Sequence, residues 1–248
     1  MDKVLLVTGG SRGIGAATCK LAARHGWAVA VNYTANSLAA DTVVRDIRAQ
    51  GGRAMAVQAD VANEAQVLRM FEQVDAKMGH LTGLVNNAGV VDVTAKVQDQ
   101  SLERWHRMFD INVMGSMLCA REAVRRMSTS LGGHGGSIVN VSSAAARLGA
   151  PGQYVDYAAA KGAIDAFTIG LAKEVGGDGI RVNAVRPGLI ETDIHASGGL
   201  PHRVRDLQHQ VPMGRGGSAQ EVAELIVWLL SDAASYTTMS LIDVSGGR

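Results

Sequence analysis

Several things are scarce in this chain, and each shortage narrows what it can be. Only two cysteines occur in 248 residues, Cys19 and Cys119. Both fall inside apolar helical stretches, which gives neither a disulfide framework nor a metal-ligand spacing; a reducing, cytoplasmic setting and no metal are expected. Neither sign of charge dominates, since 24 Lys and Arg face 23 Asp and Glu and leave a formal charge of +1. That balance implies neither nucleic acid nor an acidic membrane surface as a partner. No apolar run approaches the roughly 18 residues that a bilayer span needs. The opening Met1-Asp2-Lys3 leads directly into a strand pattern, without the apolar stretch and small-residue cleavage site of a secretory signal. Aromatic residues are few, three Phe, four Tyr and three Trp, which disfavours an aromatic-lined pocket for a steroid or polyketide.

What is present points to one large domain. The chain is 47% hydrophobic with no break in composition, enough for a core that needs no disulfide or metal. Short β-branched runs at 4–7, 27–33, 54–58, 81–86, 137–141, 180–185 and 241–244 read as strands. Amphipathic stretches at 13–25, 38–50, 64–78, 102–129, 154–175 and 219–231 read as helices. This alternation predicts an α/β fold, a doubly wound parallel sheet of about seven strands with helices on both faces. Ligands of such sheets bind beyond the carboxyl ends of the strands, where strand order reverses.

The motifs cluster at those ends. Thr8-Gly9-Gly10-Ser11-Arg12-Gly13-Ile14-Gly15 follows the first strand and opens the first helix. Gly9, Gly13 and Gly15 let the backbone approach a pyrophosphate, and the free N–H groups around Ser11, Gly13 and Ile14 meet its charge at the positive end of the helix dipole. After the second strand, Asn32-Tyr33-Thr34 carries no carboxylate. An acid there would accept from a bare ribose and repel a 2′-phosphate. Its absence, with Arg12 in the glycine turn as a guanidinium partner for phosphate, predicts NADP(H) as preferred cofactor. Asn32 and Thr34 also suit a bare ribose, so use of NAD(H) stays open, as does a purely solvated Arg12. Asp60-Val61 ends the third strand; Asp60 suits either the adenine amino group or the N-cap of the next helix.

Asn87-Ala88-Gly89 follows the fourth strand with small residues that let the chain pass close to a cofactor. Pro187-Gly188, with Ile190 and Thr192, follows the sixth and suits the nicotinamide carboxamide. Tyr157 and Lys161 lie four apart on one helix and therefore share a face. An ammonium beside the phenol is expected to lower its pKa from about 10, making Tyr157 a general acid for carbonyl reduction and a base for alcohol oxidation. Asn140-Val141-Ser142-Ser143 places a serine where it can donate to a substrate oxygen, or simply close a turn. Asn112, in Phe109-Asp110-Ile111-Asn112-Val113, is a poor helix former in an apolar helix. It fits either a water relay to Lys161 or a local irregularity bonded to backbone.

Taken together, these motifs resemble the short-chain dehydrogenase/reductase family over essentially the whole chain, from Thr8-Gly9-Gly10 to Asp243-Val244-Ser245-Gly246-Gly247. Within it, the chain is similar to bacterial 3-oxoacyl-carrier-protein reductases and glucose 1-dehydrogenase-like members. The resemblance implies a single-domain Rossmann fold over 1–248, hydride exchange between nicotinamide and a carbonyl or alcohol, and a homotetramer (or homodimer). It implies the set Asn112, Ser143, Tyr157 and Lys161, with Ser143 rather than Ser142 because the family's serine is usually the second of such a pair. Three departures stand out. The Ser143–Tyr157 segment is one residue longer than in the closest look-alikes. Asp178 falls where carrier-protein reductases tend to have a basic docking residue. Thr237-Thr238-Met239 stands where a glycine often follows the threonine.

Residues 191–217 are expected to form a substrate lid. Asp193, His195, His202, Arg203, Arg205 and His209, with Arg147 outside it, offer polar contacts for a sugar or an anionic carbonyl compound, or else form a solvated loop. Epimerisation or dehydration with retained cofactor, and a dinucleotide-binding regulator without turnover, are the competing readings.

Overall fold

Uninterrupted apolar strands need cover on both faces, and the computed structural model provides it. Residues 3–248 are described; Met1 and Asp2, read above as part of a leaderless start, lie outside them. In chain order the elements are β1 (Val4–Val7), α1 (Gly13–Arg24), β2 (Ala28–Tyr33), α2 (Ser37–Ala49), β3 (Ala54–Gln58), α3 (Glu64–Met78), β4 (Gly83–Asn86), α4 (Leu102–Phe109), α5 (Gly115–Met127), β5 (Gly136–Val141), α6 (Ala145–Leu148), α7 (Val155–Val175), β6 (Ile180–Pro187), β7 (Ile190–Glu191), α8 (Ile194–Ser197), α9 (Arg203–Leu207), β8 (Gly217–Ser218), α10 (Ala219–Leu230) and β9 (Leu241–Val244). Seven strands form one parallel sheet in the order β3-β2-β1-β4-β5-β6-β9.

The pleat sends alternate residues to opposite layers. Leu6, Leu84, Ile138 and Val182 are register partners across four strands, and they pack with Phe71, Met70 and Met127 of α3 and α5. Their neighbours Leu5, Val85, Val139 and Val185 face the other way, onto Cys19, Val43 and Ile226 of α1, α2 and α10. Both cysteines are buried and unpaired. Among the described residues no helix is long and apolar enough to cross a membrane.

The stretch expected as one helix over 102–129 is two, α4 and α5, joined by a π turn at Asp110–Met114. The Asn112 side chain accompanies the break. Its Nδ2 donates to the Met108 carbonyl at 2.9 Å, the acceptor an α-helix assigns to Asn112's own N–H.

Two of the departures from the family pattern have a structural account. The segment before Tyr157 is taken up by α6 and by a loop that uses left-handed conformations at Gly149, Ala150 and Gly152. Met239 holds a φ of 63° while its N–H donates to the Val182 carbonyl at 2.7 Å. A side chain in that region is strained by roughly 1–2 kcal/mol, which glycine avoids at some cost in unfolded-chain entropy. Met239 is substantially exposed, so its removal loses little burial. Met239→Gly is expected to raise stability by about 0.5–1 kcal/mol, read as a higher midpoint in urea unfolding.

Candidate active site

The strand order reverses between β1 and β4, and a cleft of about 800 Å³ opens at their carboxyl ends. That is within the usual range for a ligand pocket, about 300–1,000 Å³. Its floor is the glycine turn. Gly9 and Gly13 take positive φ of 60° and 52°. A Cβ on Gly15 would sit 2.4 Å from the Gly9 carbonyl oxygen, so that position admits glycine alone. A Cβ on Gly13 would lie 3.3 Å from Thr192 Cγ2, which brings the start of the expected lid against the turn.

The turn is held from below by amides. Asn32 is buried; its Oδ1 accepts from the Gly9 N–H at 3.1 Å and its Nδ2 donates to the Ala59 carbonyl at 3.0 Å. Asn87 Nδ2 donates to the Thr8 and Gly9 carbonyls at 2.9 and 3.0 Å. Thr8 Oγ1 accepts from the N–H groups of Asn87 and Ala88. These bonds fix the backbone shape that a pyrophosphate would meet. α2, α3, α4 and α10 each have a side-chain N-cap, from Asn36, Asn63, Ser101 and Ser218. α1 has none: Arg12 stands at its N-cap without a side-chain bond. Its first-turn N–H groups are thus left for an anion, as a dinucleotide site requires.

Most residues expected at the cofactor line this cleft: Gly9 to Ile14 except Gly10, then Tyr33, Thr34, Asp60, Val61, Asn87, Ala88 and Gly89, and on the far wall Pro187, Gly188, Ile190 and Thr192. Asn32 and Gly15 stand apart from the rest of that set. They shape the turn from behind and are not on the cleft wall, because Asn32 spends its amide on backbone groups and Gly15 is packed against Gly9. Asp60 lines the cleft, and its Oδ1 accepts from the Ala62 N–H at 3.0 Å. The cap of α3 is Asn63 instead, which removes the capping alternative for Asp60.

The reactive corner is built by β5 and α7. The first turn of α7 is anchored by Asp156, which pairs in a fork with Arg104 of α4 at 2.7 and 3.2 Å, both side chains buried. Tyr157 follows directly. Ser142 and Ser143 divide the work. Ser142 is buried and its Oγ donates to the Lys161 carbonyl at 3.2 Å, tying α7 to the end of β5. Ser143, which lines the cleft as Ser142 does, accepts from the Ala145 N–H at 3.1 Å and stands in the same corner as Tyr157. Lys161 is buried; its Nζ donates to the Val141 carbonyl at 2.8 Å and lies 5.6 Å from the Tyr157 ring centre. Asn112 sits behind them. A Cβ on Gly89 would be 2.7 Å from Asn112 Oδ1 and 3.5 Å from Lys161 Nζ, so these residues meet. The Asn112 amide is engaged by backbone, Oδ1 accepting from the Val90 N–H at 3.2 Å and Nδ2 donating to the Val90 carbonyl at 3.0 Å. The irregularity expected at Asn112 is therefore present beside Lys161.

One electrostatic expectation is reversed. Burial pushes the Tyr157 phenol up to about 12, opposed only by the Ser143 hydrogen bond, rather than Lys161 pulling it down. Withdrawing a phenolate from water costs more than a lysine directed at Val141 returns. Burial also lowers Lys161 to about 8, with Asp165, one turn further along α7, acting against that shift.

Of the expected lid contacts, Asp193, His195 and Arg203 reach the cleft wall, whereas His202, Arg205 and His209 do not. Arg147 turns away from it, donating to the Arg248 carbonyl at 2.6 Å and pairing with Asp243. Arg248, Gln153 and Tyr154 line the cleft without having been anticipated. No sequence signal marks Arg248, because the chain brings it there from the far edge of the sheet.

A family model described as enoyl-(acyl carrier protein) reductase matches residues 9–248. The chain is 55% identical over 245 residues to the uncharacterized oxidoreductase YgfF of Escherichia coli (strain K12), covering 99% of both chains. It is 40% identical over 246 residues to a 3-oxoacyl-acyl-carrier-protein reductase of Synechocystis, covering 99% of this chain and 96% of that one. Its fold superposes with a TM-score of 0.91 on a double mutant of a Serratia marcescens short-chain dehydrogenase/reductase, at 33% identity and over 99% of this chain and 97% of that chain. With strand order, glycine turn and cleft all in agreement, the chain belongs to the short-chain dehydrogenase/reductase family of oxidoreductases.

Proposed function

We propose that this oxidoreductase interconverts a carbonyl and an alcohol, with Tyr157 as the proton donor and acceptor and NADP(H) as the preferred cofactor. The observation that carries the reading is the corner where Ser143 and Tyr157 line one cleft beside buried Lys161, together with the uncapped glycine turn. A bound nicotinamide supplies or accepts the hydride. The chain supplies the rest. Ser143 donates a hydrogen bond to the substrate oxygen and stabilises charge developing there. Tyr157 Oη passes its proton to that oxygen in reduction and takes it back in oxidation. Lys161 keeps a positive charge beneath the phenol, and Asn112 and Gly89 flank the path by which Lys161 regains a proton.

The preference for NADP(H) is supported at the adenosine end. Tyr33, Thr34 and Ala35 line the cleft with no carboxylate, and Arg12 is exposed there with no ion pair among the described residues. Arg12→Leu is expected to weaken NADPH binding by about 10- to 100-fold, the loss of hydrogen bonds to a charged group, with NADH affinity nearly unchanged. Fluorescence titration of both cofactors checks this, and equal losses would remove the 2′-phosphate contact. Adding aldehydes, ketones, sugars and acyl thioesters to the reduced complex then tests turnover; binding without oxidation would favour a regulator.

Reduction of a 3-oxoacyl thioester is favoured by the name of the Synechocystis relative. Against an acidic carrier stands Asp178, held in place by the hydroxyls of Ser128 and Ser130 at 2.7 and 3.1 Å. Self-association belongs to the same reading. It is supported by Leu102, Trp105, Phe109, Met114 and Met117, which are exposed along α4, the π turn and the start of α5 and form an apolar face suited to a second copy of the chain.

A further inference from the structure

Past the Ser143–Tyr157 corner, the cleft continues under the lid, and its wall there carries two guanidinium groups. Arg203 is half-buried at the start of α9. Its Nη1 donates to Gln153 Oε1 at 2.6 Å, and its guanidinium carbon lies 5.1 Å from the ring centre of buried Tyr154. Arg248 reaches the same cleft, held by Gln210 Oε1 at 3.1 Å. Neither side chain has a carboxylate partner among the described residues, whereas Arg147, Arg205 and Arg215 nearby pair with Asp243, Asp206 and Glu221. Of the described side chains on this part of the wall, Asp193 alone is acidic; it is exposed and pairs with neither. His195 adds no charge, because its Nε2 meets the Ile190 carbonyl at 2.9 Å and burial lowers its pKa. Burial presses the Arg203 pKa down, with Tyr154 acting against that shift and the nearby Arg248 adding to it. Positive charge focused in a cleft of this kind attracts an anion.

We propose that the substrate is a small oxo- or hydroxycarboxylate whose carboxylate docks on Arg203, with Arg248 beside it, and whose reacting carbon lies against Ser143 and Tyr157. The inference rests on the carbonyl–alcohol reading and narrows its substrate class. Gln153 takes the Nη1 donor and Tyr154 packs beside the guanidinium, so a carboxylate would pair with the edge that carries the remaining N–H donors. An ester or amide of the same skeleton would leave that edge unpaired.

The test uses the full chain saturated with NADPH, so that cofactor binding is measured first and reports separately on the dinucleotide site. 3-Oxobutanoate, 4-oxopentanoate and 4-oxocyclohexanecarboxylate are then compared with their methyl esters as substrates. Each acid is also titrated as a ligand of the NADP⁺ complex, by protein fluorescence. The expected result is that at least one acid binds and is reduced with kcat/KM at least about 10-fold above its ester. Arg203→Leu should lower kcat/KM for the acid by about 50-fold or more while leaving the ester and NADPH affinity unchanged, the pattern of a lost charge-assisted contact. Arg203→Lys should recover part of the loss, and Arg205→Leu, which removes an exposed guanidinium of the same helix, should lose nothing. Esters preferred over acids, an acid preference that survives Arg203→Leu, or NADPH binding with no acid bound at tens of millimolar (a ceiling set by affinities near 1 mM for weak anion contacts, roughly −4 kcal/mol) would each overturn the proposal.

Discussion

Tyr157→Phe is expected to lower kcat by about 10³-fold or more while leaving NADPH affinity within a factor of about two. The ring itself is retained, so packing near Ala160 and Met108 is undisturbed. What disappears is the hydroxyl, in the corner that Tyr157 shares with Ser143. Because burial holds the phenol at about 12, Tyr157 keeps its proton throughout neutral pH and is ready as an acid for reduction. Oxidation in the reverse direction needs the phenolate and should therefore accelerate as pH rises. Stopped-flow measurement of NADPH oxidation, with cofactor binding followed in the same samples, checks the prediction. Near-wild-type turnover in the variant would remove Tyr157 from the proton step.

Lys161→Ala carries the second large effect, a fall of about 10²- to 10³-fold in kcat/KM with a measurable loss of cofactor affinity. The substitution removes the charge beneath Tyr157 and leaves the Val141 carbonyl without its donor, a buried acceptor whose loss costs about 1–3 kcal/mol. The pH profile separates Lys161 from a merely structural role. Its pKa is lowered to about 8 by burial. Below pH 8 the ammonium is charged and reduction is supported; above it the charge is lost and the rate should fall. In Lys161→Ala the residual rate should lack that alkaline limb. A limb that survives at the same pH would belong to another group.

Both predictions depend on residues four apart in one helix, which local periodicity was sufficient to place on one face. The glycine turn was legible for a similar reason. Positive φ at Gly9 and Gly13, and the absence of room at Gly15, are stereochemical demands met within a few residues of chain. Elements failed to be legible where distant groups intervene. The apolar periodicity of residues 102–129 persists through the π turn, and only the bonds from Asn112 to Val90 and Met108 reveal the break. The position of Asn32 after a strand did not reveal that Gly9 and Ala59, from two other segments, engage its side chain.

By itself, then, the sequence determined the layering of the sheet, the shape of the glycine turn and the placing of Tyr157 and Lys161 on one helix face, since each follows from side-chain alternation, backbone stereochemistry or helical spacing. Tertiary structure alone decided that the Ser142 hydroxyl is spent on the Lys161 carbonyl while that of Ser143 is not, and that the phenol pKa rises where a neighbouring lysine had suggested a fall. It also decided that Arg203 and Arg248, separated in the chain by β8, α10 and β9, share one wall. The physical reason is common to all three. Burial and charge at a site depend on which remote segments close over it, and no local pattern encodes that.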